Sequence, residues 1–404
     1  MKLKFSIDYR TNWGEELYLL ADSPMLGGGD YASAVKLTPA NPGVWTLDIE
    51  LPDGLAPFSY RYFVRNGAGD VKNEWGHDRT FTPAPGVHVY DIYDRWQDQP
   101  LDKPFYSSAF TNCICRHDKR SMPLLPCTAE VTLCISAPTL GPGNVLAVVG
   151  ESESMGSWDP RRARRMDNSS FPEWKVNVPA AGLSASTQFK FVVLDARSGD
   201  VVSWEGGDNR TLGIEPDVNA ATVISGMRFI NNMPLWKGAG TAIPVFSLRT
   251  EDDFGVGDFY DLFKFIDWAV ATGQTFVQLL PINDTTMTHT WTDSYPYNAN
   301  STFALHPMYL RLEELGVPAS QERRDYYEAL RKELNALPEV DYERANNAKW
   351  EYIREIFALK GAEVLASDEY KTYVETNRDW LLPYAAFCAL RDRFGTPDPT
   401  MWKE

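Results

Sequence analysis

The chain opens on strict alternation. Leu3, Phe5, Ile7 and Tyr9 are apolar and Lys4, Ser6 and Asp8 between them are polar, which predicts a half-buried strand rather than the continuous apolar run of a secretory leader. Short alternating runs of this kind, punctuated by Gly, Pro, Asn and Asp, continue to about residue 232, and they predict antiparallel β-structure. The pattern occurs twice. LYLLADSPMLGGGDY (17–31) matches LAVVGESESMGSWD (146–159), and eighteen residues after Gly27 and Gly156 come Trp45 in VWTLDIELP and Trp174 in EWKVNVP. FSYRYFV (58–64) then matches QFKFVVL (188–194), and KNEWGHDRTF (72–81) matches SWEGGDNRTL (203–212). Each unit has the length of a β-sandwich, about 100 residues. The expected organisation is a first module over 1–100, a polar, Pro-containing linker over 101–125 and a second module over 126–232. Trp45 and Trp174 lie inside alternating strands and are expected in the two cores.

The grammar changes after Pro234. IPVFSL (243–248) and TFVQLLPI (275–282) are short, fully apolar runs, the signature of strands covered on both faces. Between them Phe259, Leu262, Phe263, Ile266, Ala269 and Val270 recur at helical spacing, with Asp258 as expected N-cap and Gly273 beyond the C-terminus. Strand, helix and strand in so short a span predict a βαβ unit with a parallel sheet. Gly255-Val-Gly257 lacks the third glycine and the following acid of a dinucleotide fingerprint, so it reads as turn geometry. A long loop, NDTTMTHTWTDSYPYNANSTFALHPMYL, follows the second strand, the position at which a (β/α)₈ barrel builds its active site. Residues 320–404 carry helical spacing in NAKWEYIREIFALKGAEVL and YKTYVETNRDWLLPYAAFCALRDRFG, and predict a helical insertion.

Composition narrows the chemistry. The net charge of −16 argues against nucleic acid and against an anionic membrane, and suits a neutral polymer. No run is apolar enough to span a bilayer. Thirteen Trp fit either large cores or flat surfaces on which the apolar C–H face of a sugar ring stacks. The five cysteines are few and odd in number, which points to a reducing, cytoplasmic setting. Cys113, Cys115 and His117 alternate but lack zinc-site spacing, so they read as strand-edge or linker residues. Arg161, Arg162, Arg164 and Arg165 read as a solvated loop face, having no aromatic interleaving.

Over its full length the second module resembles the family 20 starch-binding module, through LAVVGESESMGSWDP, EWKVNV, FKFVV and SWEGGDNRT. In that family two loop tryptophans form one glucan platform, and a Lys, a Glu and an Asn bond sugar hydroxyls. The resemblance places the platform on Trp158 and Trp204, and the polar contacts on Lys190, Glu205 and Asn209. The first module departs from the motif. Gly29 or Tyr31 stands for the first Trp, Arg61 for the Lys, Asn73 for the second Trp with Trp75 displaced, and Asp78 for the Asn. It either binds through Tyr31, Arg61 and Trp75 or serves as a spacer.

PVFSLR, FGVGDF, VQLLPINDT and DSYPYNANSTFALHPMYL resemble the opening of the family 77 amylomaltases, the 4-α-glucanotransferases. The resemblance implies that 235–404 is the N-terminal portion of a (β/α)₈ barrel whose helical subdomain covers 320–404. It implies α-1,4-glucan as partner (starch, glycogen or maltooligosaccharide), and a retaining double displacement on carboxylates with no cofactor and no metal. It places Tyr297 on the active-site wall beside the sugar next to the cleaved bond. Asp258, Asp284 and Asp293 do not match the family's catalytic motifs, so no catalytic residue is expected in this chain and the carboxylates are expected beyond Glu404. Two functions follow: the N-terminal part of a 4-α-glucanotransferase, inactive alone, or a non-catalytic glucan-binding protein.

Overall fold

The structure, a computed structural model, describes residues 1–118, 122–233 and 236–402. It divides into two compact units, Met1–Trp236 and Lys237–Glu404.

In the first unit the repeat appears as two sandwiches. Module 1 contains β1 (Lys2–Asp8), β2 (Glu16–Ala21), β3 (Val35–Lys36), β4 (Thr38–Asn41), β5 (Val44–Glu50), β6 (Phe58–Arg65), β7 (Val71–Asn73), β8 (Arg79–Phe81) and β9 (Val89–Arg95). Module 2 contains β10 (Glu130–Ser136), β11 (Asn144–Gly150), β12 (Arg164–Arg165), β13 (Glu173–Pro179), β14 (Gln188–Asp195), β15 (Val201–Trp204), β16 (Arg210–Thr211) and β17 (Ala221–Arg228). The alternation in β1 is realised, with Leu3, Phe5 and Ile7 buried. Trp45 and Trp174 are both buried, in separate cores.

The modules are not beads on a tether. Parallel pairing of β9 with β17 fuses them into one seven-stranded sheet in the order β13-β10-β17-β9-β1-β5-β4. Pleating then sets which face each module covers. Tyr90 and Ile92, with Ala221 paired to Tyr90, join the core of module 1. On the other face Ile224, with Tyr93 paired to it, joins the core of module 2. The second sheet of module 1 (β3-β2-β6-β7, with β8) therefore covers one face of the shared sheet. That of module 2 (β12-β11-β14-β15, with β16) covers the opposite face. At the seam Asp94 accepts from the Tyr60 and Tyr62 hydroxyls (3.0 and 2.8 Å) and from Ser225 Oγ of module 2. Gln97 Nε2 donates to Gly226 O at 3.0 Å. Gly226 has φ +79°, and a Cβ there would meet Gln97 Nε2 at 2.6 Å, so the close approach requires glycine.

The expected linker is more than a linker. Residues 103–106 and 110–114 form short helical turns. Cys115 is buried in the module 2 core, and His117 packs against Phe171 and Trp174 while its Nε2 lies 2.9 Å from Leu140 O. Residues 119–121 of that segment lie outside the described residues.

The second unit has a two-stranded parallel sheet, β18 (Gly240–Ile243) with β19 (Phe276–Leu279), and helices α1 (Asp261–Ala271), α2 (Gln321–Asn335), α3 (Tyr342–Ala366), α4 (Asp368–Thr376) and α5 (Arg378–Phe394). Strand, helix and parallel strand match the expected βαβ order, and the helical segment follows. No closed sheet is present among the described residues, so the barrel is not seen as such. Three local expectations shift. The first strand ends at Ile243, because Pro244 has no N–H for a ladder and Val245–Ser247 turn into a 3₁₀ helix. Helix α1 begins at Asp261 rather than directly after the expected cap Asp258, whose Oδ1 accepts from the Tyr260 amide at 2.8 Å. Phe263, Ile266 and Val270 of the expected buried face are exposed.

Candidate functional site

The Gly156-Ser157-Trp158 segment of module 2 has φ of +86, +50 and +63°. The Trp158 amide donates to Gly150 O at 2.8 Å. Module 1 makes the same turn with Gly27, Gly28 and Gly29, at φ +97, +61 and +81°, and the Gly29 amide donates to Ala21 O at 2.7 Å. Gly29 is thus the positional equivalent of Trp158. Three glycines adopt left-handed backbone freely, whereas a serine and a tryptophan there cost about 1 kcal/mol or more each. Trp158 carries that strain while packing on a small apolar cluster, Ala147, Val149, Val192 and Leu194, on the outer face of β11 and β14.

Trp204 lies opposite Val192 in the ladder and is 36% exposed, so both indoles sit on the outer face of the same sheet. Lys190, two residues before Val192 on β14, shares that face, and its Nζ donates to Gly207 O at 2.5 Å. Asn209 is exposed, with Nδ2 3.2 Å from Gln188 Oε1. Four of the five expected residues thus reach solvent on one side of the module.

Glu205 does not. It is 2% exposed and accepts from Arg210 Nη2 (2.6 Å), Arg210 Nε (3.0 Å) and the amides of Phe191 and Ile230. A carboxylate so engaged anchors the loop from beneath. Module 1 repeats the device. Glu74 is buried, pairs with Arg79, and accepts from the amides of Tyr62 (2.8 Å) and Gln97 (3.3 Å). Arg79 Nη2 reaches Arg95 O at 2.8 Å as Arg210 Nη2 reaches Arg228 O at 2.7 Å. The E-x-x-x-x-R spacing common to 74–79 and 205–210 was the available signal for a structural pair.

The first module's expected residues separate. Trp75 meets Tyr106 edge-on at 5.1 Å and lies under the Arg228 guanidinium at 5.8 Å, so its indole is taken up at the junction with module 2. Arg61 pairs with Asp78. Tyr31 remains 37% exposed, its ring edge-on to Phe63 at 4.9 Å and its hydroxyl 2.9 Å from Asn73 Oδ1. Phe63 and Asn73 pair in the ladder as Val192 and Trp204 do, so Tyr31 stands over the spot equivalent to the indole pair. Tyr18, unnoticed in the sequence, stacks on Phe63 at 5.2 Å, with Arg65 over its ring at 4.7 Å. Its position between buried Leu17 and Leu19 was the legible sign that it faces outward.

In the second unit Tyr297 is 60% exposed, beside Tyr295 at 5.4 Å. Its loop is tied down by carboxylates. Asp284 accepts from Thr286 Oγ1 (2.6 Å), the Thr286 amide (3.0 Å) and Tyr384 Oη of α5 (2.6 Å). Burial pushes Asp284 up, but these donors outweigh it and hold its carboxyl below the ordinary range. Asp293 accepts from the amides of Met287, Thr288 and His289. Asp258 and Asp261 are buried against Arg311. His289 pairs with Asp392, and His306 Nε2 lies 3.1 Å from Tyr342 Oη. A cavity of about 510 Å³ lies between this loop and the helices, lined by Asp284, Phe303, Trp350, Trp380, Tyr384 and Arg391 among others; Tyr297 is outside it. No group of three His, Cys, Asp or Glu placed to hold a metal occurs among the described residues.

Residues 243–404 match the family model described as 4-alpha-glucanotransferase, and residues 1–91 and 128–224 each match the starch binding domain. The chain is 33% identical over 422 aligned residues to "4-alpha-glucanotransferase DPE2" of Oryza sativa subsp. japonica, which takes in 99% of this chain and 44% of that protein. It is 33% identical over 175 residues to the 4-alpha-glucanotransferase of Chlamydia caviae, covering 41% of this chain and 32% of that protein. The chain therefore spans less than half the length of these curated relatives. Among solved structures, the family 20 module of the maltotetraose-forming amylase from Pseudomonas saccharophila STB07 is 28% identical over 21% of this chain and 93% of that one, at a TM-score of 0.20. The chain thus carries starch-binding domains in both repeats and a 4-alpha-glucanotransferase domain from residue 243 onward.

Proposed function

We propose that this chain holds α-1,4-glucan on module 2 for a 4-α-glucanotransferase whose barrel begins in residues 237–404. The observation that carries the binding reading is Trp158, a tryptophan kept in left-handed backbone where the equivalent turn of module 1 uses glycine. A fold under no other demand would relieve that strain. Trp158 and Trp204 offer apolar faces to stacked pyranose rings, while Lys190 and Asn209 offer donors at the rim. Burying each sugar face contributes about 1–2 kcal/mol at about 25 cal/mol per Å². Glu205 and Arg210 hold the Trp204 loop in place from below.

In the second unit Tyr297 faces the sugar next to the cleaved bond. Its support is a loop fixed by Asp284 and Asp293 with the tyrosine ring left in solvent. The reaction is a retaining transfer between glucan chains, in which one carboxylate attacks the anomeric carbon and a second protonates the leaving oxygen. Asp258, Asp261, Asp284 and Asp293 are committed to amides, hydroxyls or Arg311, and none of them fills either role. That commitment favours a second reading, a glucan-binding protein without catalysis of its own.

The chain carrying Trp158→Ala and Trp204→Ala together should be retained far more weakly on immobilised starch with its far-ultraviolet dichroism unchanged. Retention at the wild-type level by the folded double variant would sink the platform. Glucose release from maltotriose by the unaltered chain would exclude the second reading.

A further inference from the structure

The two modules carry their candidate faces on opposite sides of one rigid sheet. From that geometry we infer that the tandem unit holds two separate α-glucan chains at once, back to back, and so bridges strands of a branched glucan. The inference rests on the reading of module 2 as glucan-binding and adds the role of module 1.

Three observations converge. First, the β9–β17 pairing and the seam formed by Asp94, Ser225, Gln97 and Gly226 make the modules one body, so the faces cannot swivel toward each other. Trp75, a third candidate of module 1, is used in this seam rather than on a face. Second, core membership alternates along the seam. Tyr90 and Ala221 point into module 1, and Tyr93 and Ile224 into module 2. The β2–β6 sheet and the β11–β14–β15 sheet therefore lie on opposite sides of the shared sheet. Packed sheets are about 10 Å apart, so the two outer faces are separated by about 20 Å of protein and look away from each other. Third, both outer faces carry aromatic rings around one equivalent ladder position, each with one exposed and one half-buried ring: Trp204 and Trp158 around Val192, and Tyr31 and Tyr18 around Phe63.

A single short oligosaccharide cannot reach both faces around the edge of a seven-stranded sheet. A branched polymer presents many chain ends and can. Bivalent engagement then raises apparent affinity for the polymer without new contacts, and leaves affinity for the short oligosaccharide unchanged.

The test uses the full chain with maltoheptaose and glycogen as probes. Titration calorimetry with maltoheptaose should resolve a site lost in the Trp158→Ala/Trp204→Ala variant and a different site lost in Tyr31→Ala. Light scattering of glycogen should rise with wild-type protein, pass through a maximum and fall at excess, as expected of a bivalent bridge. Either variant should abolish the rise and weaken apparent glycogen affinity at least tenfold. Tyr31→Phe, which keeps the ring, should retain the bridging. If Tyr31→Ala bridges glycogen as the wild type does while the tryptophan variant does not bind, module 2 binds alone and the inference fails. If the tryptophan variant binds and bridges as the wild type does, the underlying reading of module 2 fails instead.

Discussion

Trp158 allows the binding surface and the stability of the fold to be separated. Its φ of +63° lies where a non-glycine residue costs about 1–2 kcal/mol. At ordinary positions alanine is more stable than glycine by about 0.5–1 kcal/mol; at this one the order should invert. The indole is partly buried against Ala147, Val149, Val192 and Leu194. A fully buried aromatic covers about 150–250 Å², so half-burial gives about 100 Å² and about 2.5 kcal/mol of packing. Trp158→Ala should therefore lose about 2–3 kcal/mol, retaining the backbone strain. Trp158→Gly should lose about 1 kcal/mol less, because it regains the relaxed turn that module 1 builds from Gly27, Gly28 and Gly29. Hydrogen exchange of the β11 and β14 amides, read by mass spectrometry, reports the stability of this module within the whole chain. Starch retention and maltoheptaose affinity should fall in both variants alike, by about 5- to 30-fold for one stacked ring. Greater protection in the alanine variant than in the glycine variant would refute the strain argument. Undiminished maltoheptaose affinity in both would refute the role given to the ring.

Glu205→Gln should leave the half-buried Arg210 guanidinium without its counter-charge and destabilise module 2 by about 2–4 kcal/mol, with glucan affinity per folded molecule changing little; a stable variant with lost affinity would make Glu205 a sugar contact. Lys349 of α3 is buried, donates to Leu310 O at 2.9 Å and is lowered by burial to about 8, with Asp258 and Asp253 pulling the other way. Its folded value lies below the unfolded one, so the unfolded chain binds more protons between pH 8 and about 10.4. Stability of the second unit relative to a Lys349→Met variant should therefore rise as pH climbs through that window, and a denaturation series that shows it flat or falling would contradict the assignment.

Much of the organisation was legible in the sequence because it rests on local periodicity. Period-two alternation located β1, β5, β13 and β14. The repeat aligned Asn73 with Trp204 as the ladders do, whereas its match of 58–64 with 188–194 runs one residue out of the ladder register, which makes Arg61 the equivalent of Lys190. The βαβ order of the second unit followed from two apolar runs around one helical stripe. Ends were less legible, as at Pro244 and Asp258, because they depend on single hydrogen bonds rather than on pattern. What the tertiary structure alone decided was where equivalent residues go. Glu205 and Asn209 lie four residues apart in one polar loop, yet one is buried under Arg210 and the other is in solvent. Trp75 follows Glu74 and Trp204 precedes Glu205 at equivalent places in the repeat, but only the pairing of β9 with β17 turns the first into a seam residue. That pairing joins segments more than 120 residues apart, and backbone groups on a strand edge carry no mark in the sequence of which partner will satisfy them. Local pattern therefore determined that there are two sandwiches, and long-range strand pairing determined that they are one body with two opposed faces.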